Sequence, residues 1–356
     1  MVDHSITVMK MRERGDLIRW SQDSTKGDEP LYASLYREIA EDDDLFALSL
    51  EAPPGELSGR LLLSAVHYML LRSPDHPLAA YFPSIAAEPL PATDARPHFR
   101  AFCLEHRDKL AGIIATHTLQ TTSEERAAQL LLALDHVSYA IGEPFSVIEV
   151  GCSAGLLLLF DHYRYEFANG HGVGDANAEV VISSLEMIGE RGALPSGLPS
   201  IRERVGLDLN PVDVTDPDAR NWILGCSSAD RVQKFSSLRT ALEYRGRTPL
   251  TIIAGDAMAT LPAMLEQIQG RVCVYHPRCL YQWPHAAQEA FSSLLERSSR
   301  GRTIHRIGIE WNAERRDPQG SEGGGQNEIT HTRYHDGESD TQVIARVSRS
   351  RIEWLA

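Results

Sequence analysis

The stretch Val147-Ile148-Glu149-Val150-Gly151-Cys152-Ser153-Ala154-Gly155-Leu156-Leu157-Leu158-Leu159 decides how this chain is read. It passes from an apolar run into a turn of small residues and on into a second apolar run. The first run predicts a buried strand, and the second predicts a helix that begins after Gly155. Gly151 and Gly155 lack the side chains that would hold a ligand away from the backbone. A helix starting there aims its first N–H groups at whatever occupies the turn. Glu149 lies at the strand end, beside the turn. A strand, an acid and a glycine turn are what an adenosine cofactor needs. The same five residues, Gly151-Cys152-Ser153-Ala154-Gly155, also fit Gly-x-Ser-x-Gly, the nucleophile elbow of serine hydrolases.

Beyond this stretch, short β-like runs alternate with helical ones. The runs are Ser146 to Val150, Val205 to Leu209, Leu250 to Ala254, Arg271 to His276 and Ile304 to Trp311. Such alternation predicts an α/β fold, with a parallel sheet covered by helices on both faces. Ile329 to Tyr334 and Thr341 to Ser348 flank His335-Asp336-Gly337-Glu338 and predict an antiparallel hairpin at the sheet edge. Gly320 to Gly325 predicts a flexible loop. Residues 168–200 are rich in Gly, Pro and Asn, with one β-like run at Glu179 to Ser183, and read as an insertion.

Residues 1–143 show no strand pattern. Leu31-Tyr32-Leu35-Ile39 and Leu61-Leu62-Ala65-Val66-Met69-Leu70 recur at helical spacing, and a third helix is expected over Phe99 to Ile114. A fourth opens on Thr122-x-x-Glu125, a capping-box pattern. Pro74 to Pro97 predicts an ordered connection. The expected organisation is an all-helical cap or lid over 1–143, then a sheet domain over 144–356.

The bulk numbers narrow the function. At 356 residues the chain can form two cores. Its net charge of -14 argues against nucleic acid or an anionic membrane as partner. Five cysteines without a CxxC spacing argue against a disulfide framework and a zinc knuckle, and no HExxH occurs, so no metal is expected. The apolar runs are too short to span a bilayer, and no signal segment opens the chain. A cytoplasmic protein acting on a small molecule is expected, with helical faces compatible with a homodimer.

Two more acids stand at expected strand ends. Asp208, in Gly206-Leu207-Asp208-Leu209-Asn210-Pro211, can accept ribose hydroxyls. Asp256, in Ala254-Gly255-Asp256-Ala257, can take the exocyclic amine of adenine. In an open parallel sheet, ligands bind beyond the carboxyl ends of the strands.

Glu149-x-Gly151-x-Ser153-x-Gly155 resembles the first motif of class I S-adenosylmethionine (SAM) dependent methyltransferases, with Ser153 in place of the usual middle glycine. Asp208 resembles their ribose acid, and Asp256-Ala257 their adenine-contacting pair. The resemblance implies a Rossmann-like sheet ending in an antiparallel hairpin, and SAM as cofactor. From Pro30-Leu31-Tyr32 to its end, the chain also resembles a mostly uncharacterised bacterial family that joins a helical region to such a domain. Family-like segments are Ala65-Val66-His67-Tyr68, Gln120-Thr121, Gly151 to Leu156, Asp161-x-Tyr163-x-Tyr165, Gly206-x-Asp208-Leu209 and Gly255-Asp256-Ala257. The chain departs from relatives at Asn210, at Ser227-Ser228-Ala229-Asp230 and at Thr121-Thr122-Ser123.

The sulfonium of SAM is attacked in line by a nucleophile. Asn210, His276, Tyr281, Glu310 and the Asp161-Tyr163-Tyr165 cluster are candidates to line such a pocket. His276 has a suitable pKa for a general base. Tyr163 and Tyr165 offer rings for a cation–π contact, and Asn210 can hold an amino-acid group. Methyl transfer is the leading reaction. The alternative is intramolecular attack of the cofactor's α-amine, giving azetidine-2-carboxylic acid and methylthioadenosine. A non-catalytic SAM sensor would keep Glu149, Asp208 and Asp256 without turnover. A hydrolase would pair Ser153 with Asp256 and with His276, His305 or His331, but it needs strands before its nucleophile. A nicotinamide enzyme needs the glycine that Ser153 replaces.

Overall fold

All six residues of strand β1 (Phe145–Val150) are buried, so both of its faces are covered. This is the structure of the protein as a computed structural model, which describes residues 4–120, 122–188, 194–195, 197–316, 325–348 and 351–356. Three strands follow β1 in the chain and pair away from it: β2 (Arg164–Phe167), β3 (Gly172–Val173) and β4 (Val181–Ile188). Strand β5 (Ile201–Asp208) returns to lie parallel to β1, and β6 (Thr251–Ala254) lies parallel to β5. The chain then crosses to the other side of β1. There β7 (Val272–Pro277) and β8 (Thr303–Arg316) continue the sheet in parallel. Strand β1 is thus the point at which the order of addition reverses, where open sheets form a crevice.

From β8 the sheet runs antiparallel through β9 (Gly325–His335), β10 (Glu338–Ser348) and β11 (Arg351–Trp354). Asp336 and Gly337 join β9 to β10 with φ of 51° and 84°, the left-handed pair a tight hairpin requires. The hairpin lies inside the sheet rather than at its edge. Strand β4 pairs with β11, and β2 and β3 extend beyond it, giving the eleven-stranded order β3-β2-β4-β11-β10-β9-β8-β7-β1-β5-β6. Part of the expected insertion therefore widens the sheet. Residues 189–193 and 196 of that segment, Thr121, and Gly320 to Gly324 of the expected loop lie outside the described residues.

The chain forms two compact units, Met1–Thr122 with Thr215–Arg239, and Ser123–Val214 with Thr240–Ala356. The division falls at 122/123 rather than 143/144, because α7 (Ala127–Ile141) packs on β8 and β9. In the sheet unit, α10 (Ala257–Gln267) and α11 (His285–Ser298) contribute Leu261, Leu265, Phe291 and Leu295 to a core with Ile148, Val150, Val272 and Val274.

The helical unit contains α1 (His4–Lys26), α2 (Pro30–Glu41), α3 (Asp43–Ser49), α4 (Ser58–Leu71), α5 (Ala95–Glu105), α6 (Arg107–Thr116) and α8 (Pro217–Gly225). The helix expected over Phe99 to Ile114 is broken in two at His106, whose φ of -106° and ψ of 22° are not helical. The N-cap there is Ser123 rather than Thr122: it precedes a single 3-10 turn at Glu124–Arg126 and makes no side-chain cap bond. Residues 215–239 join this unit through Asp230, whose carboxylate accepts the N–H groups of Leu31 and Tyr32 at 3.0 and 2.9 Å. The departure at Ser227 to Asp230 thus caps α2 and receives the Tyr32 hydroxyl on the Ser227 carbonyl. Helix α9 (Val232–Arg247) crosses from one unit into the other. Among the described residues, no helix is long and apolar enough to cross a membrane.

Candidate active site

The turn after β1 is left-handed at three of its five residues. Gly151, Ser153 and Gly155 have φ of 78°, 49° and 74°. Serine in this region is strained, by about 1 kcal/mol or more. The turn leads into a six-residue 3-10 helix, Leu157–His162, not into the α-helix expected there. Leu156, Leu157, Leu158, Leu159 and Phe160 are all buried, so this segment serves the core more than a helix dipole. Each glycine also has an internal reason. A Cβ on Gly151 would lie 2.5 Å from the Cys279 sulfur, and one on Gly155 would lie 3.0 Å from Ile252.

The three acids stand at the carboxyl ends of β1, β5 and β6, each with a different duty. Glu149 is buried and accepts the Tyr275 hydroxyl at 3.3 Å. Burial raises its pKa well above the ordinary carboxylate value, with the Arg126 guanidinium opposing. Asp208 closes the glycine turn, accepting the Ser153 N–H at 2.7 Å and the Asn210 N–H at 2.8 Å. Each of its oxygens can accept a second bond, which keeps ribose hydroxyls within its chemistry. Asp256 caps α10, with Oδ1 accepting from Met258 and Ala259. Ala257 is buried at the start of that helix.

His276 is buried with both ring nitrogens engaged. Arg306 Nε donates to its Nε2 at 2.8 Å, so the ring proton sits on Nδ1 and is donated to Glu310 at 2.6 Å. Burial lowers its pKa, with the Glu310 bond opposing. A ring so held orients Glu310 and has no lone pair to offer a substrate. Glu310 in turn accepts the N–H groups of Cys279, Leu280 and Tyr281, pinning the loop after β7.

Tyr163 and Tyr165 are fully buried, and their hydroxyls donate to the carbonyls of Leu156 and Phe160. Neither ring is open to a sulfonium. Asp161 forms a two-point ion pair with Arg204 on β5. This cluster stitches the 3-10 segment to the sheet and does not line the crevice. Asn210 is exposed next to Asp208.

Four residues were not among the sequence candidates: Arg126, Arg278, Cys279 and Trp311, the last paired with the expected Tyr281. Arg126 donates to the Pro277 carbonyl at 3.2 Å, beyond the end of β7. Burial, then the neighbouring Arg278 charge, lowers its pKa to about 10, against the attraction of Glu149. Arg278 itself has a φ of 57°. Cys279 lies over Gly151, and burial followed by Glu310, Asp208 and Glu149 pushes its thiol up to about 12, so it stays protonated. Tyr281 and Trp311 expose rings 6.4 Å apart, edge to face. Position after a strand end was the available signal for Arg278 and Cys279; nothing local marks Arg126. The carboxyl ends of β1, β5, β6 and β7 therefore gather the carboxylates of Glu149, Asp208 and Asp256 and the guanidinium of Arg126.

Over residues 14–354 the chain matches the family model described as an uncharacterized protein conserved in bacteria (DUF2332). The chain belongs to that family. No curated protein matches it. The match takes in segments of both compact units, from within α1 to the end of β11.

Proposed function

We propose that the chain is an enzyme that binds an adenosine-containing cofactor, SAM, at the carboxyl ends of β1, β5, β6 and β7. The observation that carries this reading is the pairing of Asp208 with the turn after β1. A carboxylate that ends β5 and is tied to Ser153 N–H stands at the switch point of the sheet, where open α/β sheets take their ligands. The resemblance of the Glu149 to Gly155 segment to class I methyltransferases supplies the identity of the cofactor and the Rossmann-like label.

Under this reading Asp208 accepts ribose hydroxyls with the oxygen capacity the turn leaves it. Asp256 and Ala257 border the adenine, and Gly151, Ser153 and Gly155 form the floor. Glu149 acts from behind the floor, held by Tyr275. When bound, the sulfonium supplies an electrophilic carbon. The protein's part is to orient a nucleophile in line with it and exclude water. Methyl transfer to a small molecule is the leading reaction. The intramolecular alternative loses the aromatic support expected of it, because Tyr163 and Tyr165 are core residues.

Incubation of the purified protein with SAM alone, followed by mass spectrometry of the small molecules, tests the reaction class. Retained, intact SAM that is consumed only when an acceptor is added supports methyl transfer. Methylthioadenosine with a four-membered cyclic amino acid overturns it in favour of cyclisation.

A further inference from the structure

A second constellation lies in the helical unit, far in sequence from Glu149, Asp208 and Asp256. His76, Glu105 and His106 bring one ligand atom each to within 4.8 Å of one another. They border a cavity of about 400 Å³ together with Met69, Arg72 and Phe102. We propose that these three side chains form a binding site for a divalent transition-metal ion, with zinc as the probe.

The donor set is right for such an ion. Two imidazoles and one carboxylate are a known three-ligand set that leaves positions open, and imidazole suits zinc, iron, nickel and copper over calcium or magnesium. Phe102, Glu105 and His106 fall at i, i+3 and i+4, which places them on one face where α5 ends. The Phe102 ring stands edge-on to both imidazoles, at 4.8 Å from His76 and 4.6 Å from His106. It is almost fully buried and limits the swing of the two rings. The rings are 6.2 Å apart, centre to centre. Tetrahedral zinc with Zn–N of about 2.1 Å sets ligand atoms roughly 3.4 Å apart, so the set closes by about an ångström on binding.

His76 has a second task. Its Nδ1 accepts the Leu78 N–H at 3.1 Å, capping the 3-10 helix Pro77–Tyr81. A metal takes the lone pair of one ring nitrogen and leaves the proton on the other. Binding through either nitrogen therefore exchanges that cap for the metal bond, and the Leu78 amide loses its acceptor. Positive charge also borders the cavity. Arg72 is occupied by the Tyr68 hydroxyl at 3.0 Å and by Asp218 at 3.2 Å. Lys109, at the start of α6, is the other cation there. With a divalent ion in place, the open positions take water or an anionic group.

The test is a calorimetric titration of the chelator-stripped full chain with zinc chloride, which needs no SAM and is independent of the reading above. One zinc per chain is expected, weakened at least tenfold in Glu105→Gln and in His106→Gln and unchanged in Cys279→Ala. Glu105 is exposed, so its variant should fold normally, which far-ultraviolet circular dichroism checks. Cobalt in place of zinc should give visible d–d bands without thiolate charge transfer, and hydrogen exchange at Leu78 should quicken on metal binding. Absence of stoichiometric zinc binding overturns the proposal. So does wild-type affinity in both Glu105→Gln and His106→Gln.

Discussion

Glu310 accepts the Nδ1–H of His276 at 2.6 Å while three successive backbone N–H groups, those of Cys279, Leu280 and Tyr281, converge on the same carboxylate. One side chain from β8 thus fixes the loop that follows β7. Glu310→Ala removes the acceptor for all four donors. We expect a loss of about 2–4 kcal/mol, read from denaturant unfolding. Glu310→Gln keeps one oxygen and should lose less. A change below about 0.5 kcal/mol in the alanine variant would show that the loop holds itself.

Four buried histidines make stability depend on pH. Burial lowers His67 to about 4, His305 to about 3 and His331 to about 4, and depresses His276. His305 and His331 are stacked, with Nδ1 2.9 Å from Nε2. A histidine whose folded pKa lies below its unfolded value of 6.5 binds more protons when unfolded. Its contribution is complete above 6.5 and is lost as pH falls toward the folded value. Glu149, raised by burial, runs the other way and loses its contribution as pH rises above the ordinary carboxylate value of 4.5. Asp230, also raised by burial, acts in the same direction as Glu149. Four histidines outweigh these two carboxyls, so stability should fall from about pH 6.5 toward pH 4, by about 3 kcal/mol for His67 alone. Denaturant midpoints across that range, with more than one proton taken up on unfolding, check this. A flat profile contradicts it.

The glycine at 151 answers to Cys279. Gly151→Ala brings a Cβ to 2.5 Å from the sulfur and 2.8 Å from the Cβ of Cys279, at a φ of 78°. We expect a loss of about 2–4 kcal/mol in thermal or denaturant unfolding. The double variant Gly151→Ala with Cys279→Gly should recover the steric share and keep the φ cost. No recovery would mean that Cys279 is not what excludes a side chain there.

Ser153 is strained at a φ of 49°. Ser153→Gly should raise stability by about 0.5–1 kcal/mol and leave SAM binding and turnover largely intact. Complete loss of activity with binding preserved would restore Ser153 as a nucleophile.

Much of the sheet was legible because period and punctuation carry it. The five parallel strands fall within a few residues of their runs, since Val, Ile and Leu between turn residues leave few alternatives. Asp336-Gly337 announced its hairpin, because two left-handed residues suit few other turns. Its place in the sheet was not legible, because the pairing of β11 with β4 joins residues more than 160 positions apart. Sequence pattern also failed where tertiary packing overrode it. Leu156 to Phe160 has helical composition but folds as a 3-10 turn under the core. Tyr163 and Tyr165 carry the right chemistry for a cation, but burial decides their role. Arg126 could not be found locally, since its meaning comes from Pro277 and Glu149 across the fold.

The central claim is that the crevice at β1 and β5 binds SAM through Asp208. A calorimetric titration of SAM into the wild-type chain and into Asp208→Ala tests it most directly. Saturable binding of one SAM per chain is expected, weakened about tenfold or more in the variant because ribose hydroxyls lose their acceptor. No binding by the wild type, or equal affinity in a folded Asp208→Ala, would contradict it.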